Sequence, residues 1–291
     1  MLVKRFLMLS EEIHDAPRPT SRPQSVDNTD WLKTVAIIMV LVGHFGYFFM
    51  EDDRWWGVFG RVAAPSFFFL MGYAHTRNVP FRWIWLGVGL TVLDSWNNGW
   101  TWMPPNILLS FALIRVARPY VQAFMKRYRW GAFAFLVAAL LALLPVAREI
   151  VDYGSEGWLW ALFGLCQRMY ADRKSETGTE NTAQSSPSEA YTSFDNASLM
   201  RLVACLVAAV VYIWQEQKEY EFSHVQLAAV VLGVGLLSTS LCLFRRGPSR
   251  IQPTPGIGGV LRFIGRHTLE IYAIELAGFE LIVKFVPDLA P

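Results

Sequence analysis

The feature that most constrains this chain is a series of apolar stretches, each close to the length that a helix needs to cross a lipid bilayer. A transmembrane helix takes about 20 mostly apolar residues, because each residue advances about 1.5 Å along the axis. These stretches predict an all-α fold, a polytopic transmembrane helical bundle of about nine spans. They lie at 31–50, 56–74, 81–96, 105–122, 130–147, 158–170, 199–214, 225–244 and 260–285.

Composition supports the same class of protein. Of the 291 residues, 53% are hydrophobic and only 17% are charged, whereas a soluble domain has about 25% charged residues. The net charge of +2 provides no strong field for nucleic acid, so we expect no nucleic-acid partner. Cys166, Cys205 and Cys242 lie in or beside apolar stretches without metal spacing, which predicts buried thiols and no metal site.

Charges in the connections predict an orientation, since cytoplasmic loops of membrane proteins collect Lys and Arg. With the amino terminus inside and the carboxyl terminus outside, basic residues fall in the inner connections and acidic residues in the outer ones. The inner set is Arg77, Arg82, Arg118, Lys126, Arg127, Arg129, Arg173, Lys174, Arg201, Arg245, Arg246 and Arg250. The outer set is Glu51, Asp52, Asp53, Glu149, Asp152, Glu156, Glu216, Glu219 and Glu221.

The chain therefore divides into four parts by composition. Residues 1–29 form a polar cytoplasmic tail, and residues 30–170 contain transmembrane helices 1 to 6. Residues 171–198 are rich in Ser, Thr, Glu and Gly and predict a disordered cytoplasmic loop. Residues 199–291 contain helices 7 to 9.

Ionisable residues inside the predicted spans are the candidates for function, because a charge at the bilayer centre costs about 2.5–3.5 kcal/mol. His44 lies about 16 Å along the first helix from Lys33, which itself reaches the inner surface. Arg61 lies near the outer side of the second span, and Asp94 ends the third span on that side. We therefore expect His44, Arg61 and Asp94 to meet at one depth.

Two interpretations of this trio stay open. In the structural one, His44 hydrogen-bonds a neighbouring helix and Arg61 forms an ion pair with Asp94. In the functional one, a neutral imidazole acts as a general base or takes an acyl group itself. A nearby Arg would then hold a phosphate or stabilise an oxyanion, and an Asp would orient the His. Intramembrane His, Arg and Asp also occur in transporters, which are the alternative class of function.

Several short motifs occur in order along the chain, and together they resemble the TraX family, membrane proteins linked to N-terminal acetylation of conjugative pilin. The last motif is also similar to the closing helix of the broader acyltransferase-3 membrane family. In that family a basic residue precedes the catalytic His by eleven positions, as Lys33 precedes His44. The motifs are Asp30-Trp31-Leu32-Lys33, His44, Gly60-Arg61 through Pro65, Phe67 and Gly72, His75-Thr76-Arg77-Asn78, Asn106-Ile107-Leu108, and Ile264-Gly265-Arg266-His267-Thr268-Leu269-Glu270-Ile271-Tyr272.

The resemblance implies an acyltransferase of the bacterial inner membrane. It would move acetyl from cytoplasmic acetyl-CoA, without a metal, to an amine or hydroxyl of an acceptor protein or glycan, such as a pilin amino terminus. On this hypothesis the catalytic residues are His44, Arg61 and Asp94, the donor is held by Lys33, His75, Arg77, Arg266 and His267, and the substrate contacts Asn106 and Glu270.

Three details of the sequence add further expectations. Many TraX-like proteins have an acidic residue directly before the first-span His, where this chain has Gly43, and often a His where it has Glu275. Arg266 and Glu270 are four residues apart, so on one continuous helix they would pair. The glycine-rich segment 256–259 follows no strand and is expected to be a loop.

Overall fold

The computed structural model describes residues 25–50, 52–74, 78–102, 104–179 and 187–286, with the side chains of 176–179 and 187–195 excepted. Within these ranges the chain is helical and contains no strand, which confirms the all-α fold class. The helices are α1 (Asn28–Phe49), α2 (Trp55–Gly60), α3 (Ala63–Tyr73), α4 (Phe81–Asn97), α5 (Ile107–Ile150), α6 (Gly154–Thr179), α7 (Pro187–Tyr220), α8 (His224–Leu243), α9 (Pro255–Arg266) and α10 (Thr268–Phe285).

Local sequence signals fix where several helices begin. At the start of α1 the Asp27 carboxylate accepts from the Asp30 backbone N–H, and the Asp30 carboxylate accepts from that of Asp27. Ser223 and Gln226 form the same reciprocal pair before α8. Such capping boxes satisfy backbone donors that the first helical turn leaves without partners.

Helix α5 is a hairpin of two antiparallel arms, 107–128 and 130–150. Arg129 leaves helical geometry, with φ 47° and ψ −118°, and the chain reverses there. The two ends of the hairpin consequently meet, since the Asp152 N–H donates to the Pro105 carbonyl at 3.3 Å. The arms correspond to the separate spans predicted at 105–122 and 130–147.

Among the residues that the structure describes, four helical segments are long and apolar enough to cross a membrane: Asn28–Phe49, Ile107–Ile150, Asn196–Tyr220 and His224–Leu243. The closing helix α10 is not among these four segments, and it carries four charged residues: Glu270, Glu275, Glu280 and Lys284. The count of about nine spans and the N-in orientation stay predictions.

Two segments differ from the sequence-based expectation. Helices α6 and α7 extend over 171–179 and 187–198, where a disordered loop was expected. The glycine-rich segment 256–259, expected as a loop, belongs to α9. Helix α9 is supported by Pro255 in its first turn, since proline has no backbone N–H to leave unbonded there.

Hydrogen bonds between distant connecting segments define two ends of the bundle. One end joins the start of α1 to the segment after α8, where the Asn28 N–H donates to the Gly247 carbonyl at 3.0 Å. We call it the arginine end, after Arg245, Arg246 and Arg250 in that segment. The other end joins the segment after α1 to the end of α7, where Arg54 donates to the Tyr220 carbonyl at 2.8 Å. We call it the carboxylate end, after Glu216, Glu219 and Glu221.

Glycines bring two helix pairs into backbone contact. Helices α3 and α6 pack so closely that a Cβ on Gly72 would collide with the Ala161 carbonyl, and one on Gly164 with the Phe69 carbonyl. A Cβ at Gly43 on α1 would lie 3.1 Å from the Gly60 Cα, and a Cβ at Gly60 on α2 would lie 2.8 Å from the Gly43 Cα. Small residues commonly permit such close packing between membrane helices. The second contact fixes His44 and Arg61, the residues that follow the two glycines.

Candidate functional site

Four of the residues singled out in the sequence line one cavity of about 490 Å³ near the carboxylate end: His44, Arg61, Asp94 and Asn106. We call it the histidine cavity. They come from α1, the α2–α3 junction, α4 and the residue before α5. The structure therefore brings His44, Arg61 and Asp94 together, as their expected depths in three separate spans predicted. Their chemical roles stay predictions.

His44 is held by a glutamate from the closing helix. Its Nδ1 lies 3.1 Å from both carboxylate oxygens of Glu275. The Glu275 side chain is 7% exposed and that of His44 is 28% exposed. An ionised carboxylate only accepts hydrogen bonds, so beside an ionised Glu275 a neutral His44 carries its proton on Nδ1 and leaves Nε2 as an acceptor. Glu275 thus occupies the place beside His44 that was considered for an Asp.

The partner of Arg61 is Glu216, and the ion pair with Asp94 that one interpretation proposed is not formed. Arg61 Nη1 lies 2.5 Å from the Glu216 carboxylate, and its guanidinium stacks over the Tyr220 ring at 4.2 Å. Glu216 was expected in an outer connection, but it belongs to the last turns of α7 and is buried. A buried carboxylate beside Arg61 neutralises the charge that the sequence left without a partner.

The same glutamate connects Arg61 to a larger ionic network. Arg148 at the end of α5 lies 2.5 Å from Glu156 and 3.4 Å from Glu216, and it also contacts Glu219. Glu156 and Glu216 are 0% and 1% exposed at their side chains. The network joins α5, α6, α7 and the α2–α3 junction behind one wall of the histidine cavity.

Asp94 and Glu280 provide the acidic side of the cavity. Asp94 accepts from Asn98 Nδ2 at 2.9 Å, and Glu280 accepts from Asn97 Nδ2 at 2.7 Å. Both carboxylates also line an adjoining space of about 750 Å³ at the carboxylate end, which we call the vestibule. The vestibule shares Arg61, Asp94 and Glu280 with the histidine cavity, so the two spaces adjoin.

Asp152 adds a titratable group to the wall. It lies in the connection between α5 and α6, outside both helices, and lines the histidine cavity. Burial raises the pKa of the Asp152 carboxyl to about 6, although a backbone hydrogen bond with Tyr153 and the proximity of His44 oppose the rise. The charge of this wall therefore changes near pH 6.

A second cavity, of about 300 Å³, lies near the arginine end. Among the described residues that line it, five are cationic and none is acidic. We call it the arginine cavity, and its cations are Lys33, Arg82, Arg115, Arg246 and Arg266. Lys33 also donates to the Gly265 carbonyl at 3.2 Å. Two of the residues predicted to hold the donor, Lys33 and Arg266, thus share a site that suits a polyanion.

The closing segment is broken where one continuous helix was expected. Helix α9 ends at Arg266 and α10 begins at Thr268, with His267 between them at φ −105° and ψ 19°. Arg266 and Glu270 therefore do not share a helix, and Glu270 pairs with Arg82 at 2.5 Å. His267 is exposed, and its ring packs against Phe263 with centroids 4.6 Å apart. Predicted donor residues His75 and Arg77 lie outside the described residues.

The sequence-based reasoning missed three residues that complete the site: Glu216, Glu275 and Tyr272. Glu275 was noticed only as a departure from the family pattern, although an acidic residue inside an apolar stretch is itself a signal of function. Tyr272 was noticed only as part of a motif, yet it accepts from Asn106 Nδ2 at 3.0 Å. Because its neighbours belong to distant parts of the chain, no local pattern could have indicated this position.

Comparison with known proteins identifies relatives of this chain. A family model described as TraX protein matches residues 28–232. Protein TraX of Escherichia coli is 26% identical over 215 residues, 72% of this chain and 74% of that protein. Protein TraX of Escherichia coli strain K12 is 25% identical over 232 residues, 77% of this chain and 81% of that protein.

A shorter match is to an uncharacterised protein of Rickettsia prowazekii (strain Madrid E), 28% identical over 130 residues, 43% of this chain and 50% of that protein. No solved structure matches the chain significantly. The family match spans α1 to the first half of α8 and includes His44, Arg61, Asp94 and Asn106. On this match, the chain belongs to the TraX family.

Proposed function

We propose that this protein is a membrane-bound acyltransferase that moves acetyl from acetyl-CoA to an amine or hydroxyl of an acceptor. The observation that carries the proposal is the His44–Glu275 pair at the wall of a cavity that adjoins the arginine cavity. An imidazole oriented by a carboxylate is a recurring arrangement for general-base catalysis. Family membership supports the same activity, and a pilin amino terminus is the acceptor that it suggests.

In the proposed reaction, His44 Nε2 takes the proton from the acceptor nitrogen or oxygen as that atom attacks the thioester carbonyl carbon. The carbon–sulfur bond then breaks, and His44 returns the proton to the departing thiolate. Glu275 keeps Nδ1 protonated and stabilises the imidazolium that forms between these steps. Arg61 is neutralised by Glu216, so we assign it to shaping the cavity wall together with Asp94.

The arginine cavity fits the anionic part of the donor by the chemistry of its lining. Its lining offers several hydrogen-bond donors suited to phosphate oxygens. They are the ammonium group of Lys33 and the guanidinium groups of Arg82, Arg115, Arg246 and Arg266. We propose that a donor arriving at the arginine end binds there. An acceptor would then arrive through the vestibule, whose acidic groups Asp94 and Glu280 suit a cationic amine.

The test uses purified protein in lipid nanodiscs, radiolabelled acetyl-CoA, and a synthetic peptide with a free amino terminus. The same peptide with a blocked amino terminus and no hydroxyl side chain is the control substrate. We expect His44→Ala to lower kcat about 10²- to 10⁴-fold, while the exposed control His224→Ala leaves it unchanged. Unchanged transfer by His44→Ala would remove His44 from the chemistry.

A carrier is the second candidate, because cavities approach the middle of the bundle from both ends. Proteoliposomes loaded with a panel of labelled small solutes separate the two functions. Flux that needs no acetyl-CoA, together with an absence of acetyl transfer, would favour the carrier. Transfer that depends on His44 would favour the enzyme.

A further inference from the structure

The histidine cavity and the arginine cavity are separated by a wall only one layer of side chains thick. Tyr272 and Ile107 are the two residues that line both cavities. The Tyr272 ring lies beside the His44 ring, with centroids 5.9 Å apart. Whatever passes from the arginine cavity to His44 along this route must pass Tyr272.

The position of Tyr272 is fixed by a residue that is itself well held. Asn106 Nδ2 donates to the Tyr272 hydroxyl at 3.0 Å. The Asn106 side-chain oxygen accepts from the Leu108 N–H at 3.1 Å, and its backbone N–H donates to Thr91 Oγ1 at 2.9 Å. Three hydrogen bonds thus connect Tyr272 to the start of α5 and to α4. They fix the position of the Tyr272 ring in the wall between the two cavities.

We propose that Tyr272 selects the length of the acyl group and keeps water away from the thioester. This inference rests on the proposed acyltransferase function. On this proposal the phenol ring blocks the space beyond an acetyl group held at His44, so a two-carbon acyl group fits and a four-carbon group meets the ring. The ring also fills the space beside the His44 imidazole that a water molecule could otherwise occupy next to the thioester.

Removing the ring is expected to join the two cavities and to admit water, which then hydrolyses the thioester. A water oxygen attacks the thioester carbonyl carbon and His44 takes the water proton. The carbon–sulfur bond breaks, giving a free carboxylic acid and the thiol of coenzyme A. Hydrolysis without acceptor therefore measures how well the ring excludes water, and the rates with longer acyl groups measure the space that the ring leaves beside His44.

The experiment compares Tyr272→Ala with Leu269→Ala and Leu276→Ala, in nanodiscs, using acetyl-CoA and butyryl-CoA. The two leucines lie about one turn to either side on α10, and each lines only one of the cavities. We expect Tyr272→Ala alone to raise the butyryl-to-acetyl ratio of kcat/KM by about tenfold or more. We also expect it alone to accelerate hydrolysis of acetyl-CoA without acceptor. Tyr272→Phe keeps the ring, and should keep both values within about twofold of wild type.

The outcomes separate this inference from the proposed function. If wild-type protein transfers no acetyl group, the proposed function fails and the inference fails with it. If wild type transfers acetyl and His44→Ala does not, but Tyr272→Ala matches the leucine controls in both assays, only the inference is overturned. Tyr272→Leu, which also lacks the ring, gives the same reading if the alanine variant does not elute as folded protein.

Discussion

His44 and Glu275 are separated by 231 residues in the chain and meet at a distance of 3.1 Å. A histidine alone in an apolar helix has no preferred ring orientation or tautomer. The buried Glu275 carboxylate favours one ring orientation and one tautomer, because it accepts a hydrogen bond from Nδ1 and leaves Nε2 as the acceptor. At the residue scale, the site is therefore a pair of side chains, and the sequence pattern of α1 contains only half of it.

We expect Glu275→Leu to lower kcat by about 10²-fold or more, because the imidazole loses the group that fixes its tautomer. The KM for acetyl-CoA should change little, since Glu275 is not among the residues that line the arginine cavity. Glu275→Gln keeps an acceptor for Nδ1 and should recover part of kcat. Steady-state kinetics of the two variants decides the point. Equal rates for Glu275→Leu and wild type would mean that Glu275 does not orient His44.

At the scale of elements, α10 connects three levels of the bundle through its glutamates. Glu270 pairs with Arg82, Glu275 with His44 and Glu280 with Asn97. Successive glutamates are five residues apart, which is about 7.5 Å along the helix. These contacts explain how an otherwise apolar helix carries three glutamates, since each glutamate has a partner on α1 or α4.

The α3–α6 contact predicts that alanine substitutions at two glycines have different effects on stability. Gly164→Ala would drive a methyl group into the Phe69 carbonyl, whereas a Cβ on Gly235 in α8 meets nothing within 4 Å. We expect Gly164→Ala to lose about 1–3 kcal/mol of stability through overpacking, and Gly235→Ala to lose none. Thermal unfolding in detergent, followed by circular dichroism, measures both. Equal melting temperatures for the two variants would contradict the close contact between α3 and α6.

The helices were largely predictable from the sequence, and the partners of the site residues were not. Long apolar stretches fix helix positions directly, and the depth of His44 follows from its distance along α1. Which helix lies beside α1 is decided by packing of the whole bundle, so Glu275 and Tyr272 could not be placed. The break at His267 was missed, although Arg266, His267 and Thr268 interrupt the apolar pattern there.

At the scale of the whole molecule, charge is segregated between the two ends. The arginine end collects Arg245, Arg246 and Arg250, and the carboxylate end collects Glu216, Glu219 and Glu221. Basic residues favour the cytoplasmic side of a bacterial membrane. The arginine cavity opens near the first of these ends, so this orientation would expose it to cytoplasmic acetyl-CoA.

Cysteine labelling tests this orientation on a background in which Cys166, Cys205 and Cys242 are replaced by alanine. Thr101 lies in the connection between α4 and α5, near the carboxylate end, and Thr254 precedes α9, near the arginine end; both are exposed. An impermeant maleimide added to intact spheroplasts should label Thr101→Cys and spare Thr254→Cys. Permeabilised cells should label both, which shows that each thiol is reactive. The reverse pattern in intact cells would place the arginine cavity on the outer side.

The contact between Gly43 and Gly60 has a consequence for how this protein can diverge. Neither position accepts a side chain without moving the backbone of the other helix, because each Cβ would meet the opposite Cα within about 3 Å. The two sites are therefore coupled, and substitutions at them are expected to covary among homologues. A homologue with an acidic residue directly before the histidine must hold α1 and α2 farther apart. Its arginine would then lie at a greater distance from the imidazole, in an active site of different width.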